Sequence, residues 1–138
     1  MNEDIIPMIE EIAQNAKDAS RALSSATTIQ KNDAIQAIAR ELESNRKTLI
    51  EENEKDLKAA KENGLTEAMV DRLRLNHERI DGMVQGLRQL IELPDPVGGL
   101  IEEKTPANGL NIRKVRTPIG VIGIIYESRP NVTIDCAG

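Results

Sequence analysis

The chain has 138 residues, a formal net charge of −5 and 39% hydrophobic residues, with no Phe, no Trp and Tyr126 as its one aromatic. An acidic chain without a basic cluster is a poor partner for nucleic-acid phosphates or an anionic membrane surface, because phosphate contacts supply most of that affinity. Its longest apolar run, residues 121–126, falls far short of the roughly 20 residues that span a bilayer. A core of Ile, Leu, Val, Ala and Met buries less area per residue than one with aromatics, so a thin core is expected, as in a piece of a larger protein. Ile5, Ile9, Ile12, Ala16, Ala19 and Leu23 recur at helical spacing, with Asp4 as a candidate cap and Pro7 in the first turn, where its missing N–H is harmless. Thr28 reads as the cap of a second helix that turns Ile35, Ile38, Ala39 and Leu42 to one face, and Ser44-Asn45 as a break or bend. A third helix carries Leu49, Ile50, Leu57 and Ala60 inward and stops at Gly64. Thr66 opens a short helix with Met69, Val70 and Leu73, and Asn76 opens a longer one with Ile80, Met83, Val84, Leu87 and Ile91 that ends at Pro94.

After a Pro- and Gly-rich linker over residues 94–99, residues 100–105 and 110–117 read as two strands of a hairpin joined by Pro106-Ala-Asn-Gly109, where Asn108 and Gly109 suit positive φ. Residues 121–126 lack polar alternation, and so predict a strand buried on both faces of a parallel sheet. The polar cluster Glu127-Ser-Arg-Pro-Asn131 then falls at the strand's carboxyl end, where open α/β sheets bind ligands. Arg129 offers a bidentate fork for carboxylate or phosphate, and Pro130 fits the first position of a helix. From the residues alone the cluster reads equally as a ligand site and as a loop that ends a strand and caps a helix.

Other candidates have plainer readings. Glu51–Lys55 and Glu54–Lys58 are i, i+4 pairs on a solvated helix face. His77 has no second His and no thiol near it in sequence, so a surface role is expected and no metal site. Cys136 reads as a small buried apolar residue rather than a nucleophile. Gly120-Val-Ile-Gly123 is not a dinucleotide fingerprint, and Gly123 reads as a place where a helix approaches a strand. A single cysteine and an amino terminus without the basic-then-apolar order of a secretory signal point to the cytoplasm.

The run from Thr117 to Thr133, TPIGVIGIIYESRPNVT, resembles the gamma-glutamyl phosphate reductase (glutamate-5-semialdehyde dehydrogenase) family of the aldehyde dehydrogenase superfamily. Gln30-Lys-Asn32, Asn53-Glu-Lys-Asp-Leu57, Asp71-Arg-Leu73 and Leu93-Pro-Asp-Pro-Val-Gly98 match the same family in its order, over nearly the whole chain. The resemblance implies an α/β fragment: a helical part of the nucleotide-binding domain over 1–93, an oligomerisation hairpin over 99–117, and the start of a Rossmann-like parallel sheet over 118–138. It implies an NADPH-dependent reductase that converts L-glutamyl 5-phosphate to L-glutamate 5-semialdehyde in proline biosynthesis, as a homodimer or higher homo-oligomer. The family's catalytic cysteine would lie beyond Gly138, making this an amino-terminal fragment without activity of its own. Carried onto this sequence, Glu127 and Ser128 would face the cofactor, Arg129 and Asn131 the substrate, and Asn131 would contact the reacting carbonyl oxygen. The order Arg-Pro-Asn departs from related aldehyde dehydrogenases, which place Asn ahead of the second Pro. A helical interaction module, or a related reductase with another acyl substrate, are the alternatives the sequence allows.

Overall fold

The computed structural model describes residues 5–138, in two compact units: one from residues up to 28 together with 94–123, the other from residues 29–93 together with 124–138. The first unit holds α1 (Ile5–Leu23) and the antiparallel ribbon of β1 (Leu100–Lys104) and β2 (Ile112–Val115). Pro7 sits in the first turn of α1 as expected, among N–H groups that have no partner within a helix. Asp4, the expected cap, lies outside the described residues. The apolar stripe of α1 is largely open among the described residues: Ile5, Ile9 and Ile12 are each at least half exposed. Both strands are shorter than the sequence suggests, and every residue in them is exposed. Opposite charges face one another across the ribbon at Glu102–Lys114 and Glu103–Arg113, the pairing that stabilises a sheet surface. In the turn Gly109 alone takes positive φ (78°), its N–H donating to the Pro106 carbonyl at 3.0 Å.

The second unit carries the core. It contains α2 (Thr28–Ser44, apart from its first residue), α3 (Arg46–Glu62), α4 (Glu67–Leu73), α5 (His77–Glu92) and α6 (Pro130–Ala137). Thr28, read as a cap, is instead the first residue of α2, while the expected break falls at Asn45. Ala39 and Leu42 of α2 pack with Ile80, Met83, Val84 and Leu87 of α5, and Leu49, Ile50 and Ile134 close in around them. Ile80 is fully buried, and burying an aliphatic side chain of that size contributes about 1.5–3 kcal/mol. A second, smaller cluster joins Leu57 and Ala60 of α3 to Val70 of α4, with Leu65 and Leu73 at its margin.

The helix ends follow the chemistry of their residues. Gly64 takes the left-handed conformation (φ 74°) after α3, so that its N–H reaches the Lys61 carbonyl and the Leu65 N–H the Ala60 carbonyl, a Schellman closure. Thr66 accepts a hydrogen bond from the Met69 N–H at 3.4 Å, and Asn76 from the Arg79 N–H at 2.8 Å, capping α4 and α5. Between these two helices the chain is pinned by Asn53, a side chain 4% exposed. Its amide donates to the Leu73 carbonyl at 2.9 Å and its oxygen accepts from the Leu75 N–H at 2.6 Å. Arg46 at the start of α3 meets Asp81 of α5 at 2.5 Å, and Arg88 of α5 grips both carboxylate oxygens of Glu43 at 2.9 and 3.1 Å.

Four expectations need correction. Residues 121–126 form no strand and are exposed along their length, with Ile125 fully so. Strand backbone needs a neighbour to satisfy its N–H and C=O groups, and among the described residues the one sheet is the β1–β2 ribbon, which pairs with itself. Gly123 accordingly has open space around it rather than a helix. Cys136 is exposed, because it lies two residues from Ile134, about 200° around α6 from the side chain that enters the core. On the solvated face of α3 the ion pairs are Lys47–Glu51 and Glu52–Lys55 rather than those the i, i+4 spacing suggested.

Asn53→Leu should destabilise the fold by about 1–3 kcal/mol, since it leaves a backbone donor and acceptor of the α4–α5 turn without partners; denaturant unfolding measures it, and a loss within error would mean that water replaces the amide. The Asp81 carboxyl is held below its ordinary range by the hydrogen bond and then the charge of Arg46, with a smaller contribution from His77. A carboxyl depressed in the folded state gives stability that is present above its unfolded pKa and lost as pH falls through the folded value. In an NMR titration Asp81 should therefore titrate below a free aspartate and move back up in Arg46→Gln.

Candidate functional site

Residues 127–131 turn the chain from the exposed 121–126 segment into α6. Ser128 is the one non-glycine residue with positive φ (52°) among the described residues, and Pro130 takes the first helical position, as its fixed φ and missing N–H favour. Arg129 is the N-cap residue but makes no capping bond with its side chain. Ile134 anchors α6 against α5, and Tyr126 is tied back to the helix by a 2.6 Å hydrogen bond between its hydroxyl and that of Thr133. Asn131 donates one amide hydrogen to Asp135 at 3.0 Å, which leaves its second amide hydrogen for another acceptor.

Arg129, Pro130, Asn131 and Asp135 form one wall of a groove of about 480 Å³. The opposite wall is the end of α4, the turn after it and the start of α5, with Asp71, Arg72, Arg74 and Arg79. A volume of this order suits a small metabolite. Arg79 is committed to structure: it donates to the Asp71 and Arg74 carbonyls, the latter at 2.8 Å, and pairs with the Asp71 carboxylate at 3.0 Å. Arg74 stands 4.0 Å from the same carboxylate. The side chains of Arg72 and Arg129 make no hydrogen bond or ion pair with any described residue. Four guanidinium groups thus face two carboxylates, an excess of two positive charges in a chain whose net charge is −5.

The structure brings Arg129 and Asn131 together on this groove, while Glu127 and Ser128 are not part of its lining. The basic cluster that the linear sequence lacks is assembled by the fold, and Arg72, Arg74 and Arg79 are the residues that sequence reasoning missed. Asp71-Arg-Leu73 stands out as a family match, but the Asp71-Arg-Leu-Arg74 run carries no sign of a site until Arg129 is placed opposite. Glu127 and Ser128 do not by themselves fit a nucleotide: neither carries a cation for its phosphates, and no parallel sheet stands behind them among the described residues. Nor do any three His, Cys, Asp or Glu side chains of the described residues come together as a metal site. No described helix is long and apolar enough to cross a membrane.

No family model matches the chain. It is similar to proteins named gamma-glutamyl phosphate reductase: 50% identical over 125 residues to that of Geobacillus thermodenitrificans, covering 91% of this chain and 30% of the relative. With the Haemophilus influenzae protein of that name the identity is 49% over 130 residues, 94% of this chain and 31% of the relative. The crystal structure of gamma-glutamyl phosphate reductase from Thermotoga maritima superposes with a TM-score of 0.88 at 48% identity, over 91% of this chain and 30% of that one. The Saccharomyces cerevisiae reductase gives 0.87 at 34% identity, over 92% and 32%. The chain therefore spans about 30% of the length of the relatives it matches, and within that span it shares their sequence and their fold.

Proposed function

On the strength of that homology, we propose that the chain supplies the amino-terminal part of an NADPH-dependent reductase of an acyl phosphate, L-glutamyl 5-phosphate, which yields the semialdehyde and inorganic phosphate in proline biosynthesis. The cytoplasm is the compartment that reading implies. In the balanced reaction the acyl carbon gains a hydride, the C–O bond to phosphate breaks, and the electron pair leaves with the phosphate. NADPH would supply the hydride, and by the family resemblance the nucleophilic thiol and the nucleotide cradle would come from a part of the full-length protein outside this span. The resemblance does not assign the nucleophile to Cys136, the one thiol here, so in this reading the chain is inactive by itself. A related reductase acting on another acyl group would use the same groove, and a purely helical interaction module would leave the cluster without a purpose.

What this chain contributes is anion binding and polarisation. The observation that carries the reading is Arg129, a guanidinium without a partner among the described residues, in the wall of a groove it shares with Asn131. Its planar fork suits a carboxylate or phosphoryl group in two-point contact, which a lysine cannot reproduce. The second amide hydrogen of Asn131 is suited to donate to a carbonyl oxygen as negative charge builds there, where a fixed donor accelerates reaction. Asp135 holds the other hydrogen and so sets the amide's orientation. Glu127 and Ser128 are assigned to the cofactor side by resemblance alone.

The ribbon has a separate task in this reading. Leu100, Ile101, Ile112 and Val115 are exposed on a two-stranded sheet, with Leu110 exposed just before β2, an arrangement marginal in isolation, and contact with a second subunit of a homo-oligomer would cover them.

In the full-length protein, Arg129→Ala should raise KM for glutamyl phosphate roughly 10-fold or more, the worth of a charge-assisted hydrogen bond, with the melting temperature nearly unchanged. Arg129→Lys should recover part of it. Unchanged kinetics in a folded Arg129→Ala protein would reduce the residue to a loop element. For the ribbon, Ile112→Asp should shift the full-length protein toward monomer in sedimentation velocity; a wild-type monomer at micromolar concentration would end the oligomer reading.

A further inference from the structure

The groove holds more positive charge than Arg129 supplies, and the surplus comes from a part of the chain remote from it in sequence. Arg72 and Arg74 are two residues apart, a spacing that on a continuous helix points side chains to different sides. Here α4 ends at Leu73, and Arg74 is already extended (φ −63°, ψ 130°), which brings both side chains to the same groove. Arginines at a helix end ordinarily satisfy its last carbonyls. That task is already taken: Arg79, reaching back from α5, donates to the carbonyls of Asp71 and Arg74. The same Arg79 holds the Asp71 carboxylate at 3.0 Å and leaves Arg74 at 4.0 Å, the outer limit of an ion pair. Asp135, the other acid of the groove, is engaged by the Asn131 amide rather than by a cation. Arg72 has no partner among the described residues, as Arg129 has none. The helix therefore has no need of Arg72 or Arg74, and among the described residues that line the groove two positive charges are left without a balancing carboxylate.

We propose that Arg72 and Arg74 complete, with Arg129, a binding site for a doubly charged phosphoryl group. The charge surplus matches a phosphoryl dianion, and guanidinium forks from two walls hold its oxygens in a geometry that a single carboxylate cannot fill. This deepens the reading of the protein as an acyl phosphate reductase: it makes the α4–α5 turn the element that separates a phosphorylated substrate from the free acid. Arg79 has a positioning role, since it fixes the turn that carries the other two.

The test uses the full-length protein with Arg72→Gln, Arg74→Gln and the double variant, and inorganic phosphate as the probe. Phosphate affinity by calorimetry, and KM for glutamyl phosphate, should each weaken roughly 10-fold per guanidinium removed. Binding of glutamate, which lacks the phosphoryl group, should change little, and Arg→Lys should restore part of the phosphate affinity. Thermal melting confirms that the variants fold. If the wild type is an active reductase and the folded double variant keeps its KM and its phosphate affinity, the proposal is overturned while the reductase reading stands. If no acyl phosphate is reduced, yet phosphate binding depends on Arg72 and Arg74, the anion site stands and the reductase reading falls. A wild type that binds no phosphate at millimolar concentration also overturns the proposal.

Discussion

Two hydrogen bonds from one side chain fix the turn on which the candidate site depends. Asn53 is the one polar residue counted with the buried side chains among those described, and it bonds the carbonyl of Leu73 and the N–H of Leu75, on either side of Arg74. A buried amide with both ends engaged tolerates little displacement, because moving either backbone group would leave a buried polar atom unpaired. Arg79 works on the same turn from outside, by gripping its carbonyls and Asp71. The turn is thus held from two directions. The guanidiniums it presents lie on a fixed wall rather than a mobile loop, which limits the entropy lost when an anion is bound.

The opposite wall is fixed by packing instead of polar bonds. Ile134 reaches the cluster of Ile80, Met83 and Leu87 on α5, and the residues before it, Arg129 to Asn131, take their place from that contact. Since α5 also carries Arg79, one helix sets both walls at once. An aliphatic core without aromatics suffices here because it is concentrated at α2 and α5. Elsewhere the apolar surface of α1 and of residues 121–126 stays open. That is the surface expected of a chain that spans about 30% of its relatives' length.

Local rules predicted the helices well because each was written in local chemistry. The stripes of α2 and α5, the caps at Thr66 and Asn76, the left-handed Gly64 and the Pro at the start of α6 each involve residues within one or two turns. What escaped depends on distant partners. Asn53 looks like any polar residue on a helix until the α4–α5 turn is brought against it, and Arg72 looks like a surface charge until Arg129 lies opposite. The segment 121–126 failed in the opposite sense. Its composition demands burial in a sheet, but a strand is a property of neighbours as much as of its own residues, and the described chain offers it none. Of the candidate site, the Arg129–Asn131 wall could be proposed from sequence because its residues are near neighbours in the chain; the α4–α5 wall could not.

The conformation of Ser128 bears on why Arg129 points where it does. A left-handed backbone at a residue with a Cβ costs on the order of 1 kcal/mol and persists only when its surroundings impose it. Here the chain after Ser128 is bound by Ile134 in the core and by the Tyr126–Thr133 bond, so α6 cannot relax to relieve the turn. Arg129 is left in an extended, non-helical conformation (φ −141°, ψ 85°), its side chain unused for capping and turned to the groove. A glycine at 128 would remove the strain but add chain freedom next to the residue proposed to meet an anion. Strain at Ser128 costs the fold a little, whereas the exposed guanidinium of Arg129 stays hydrated without a partner, and in the proposed function both serve to present that guanidinium to an anion.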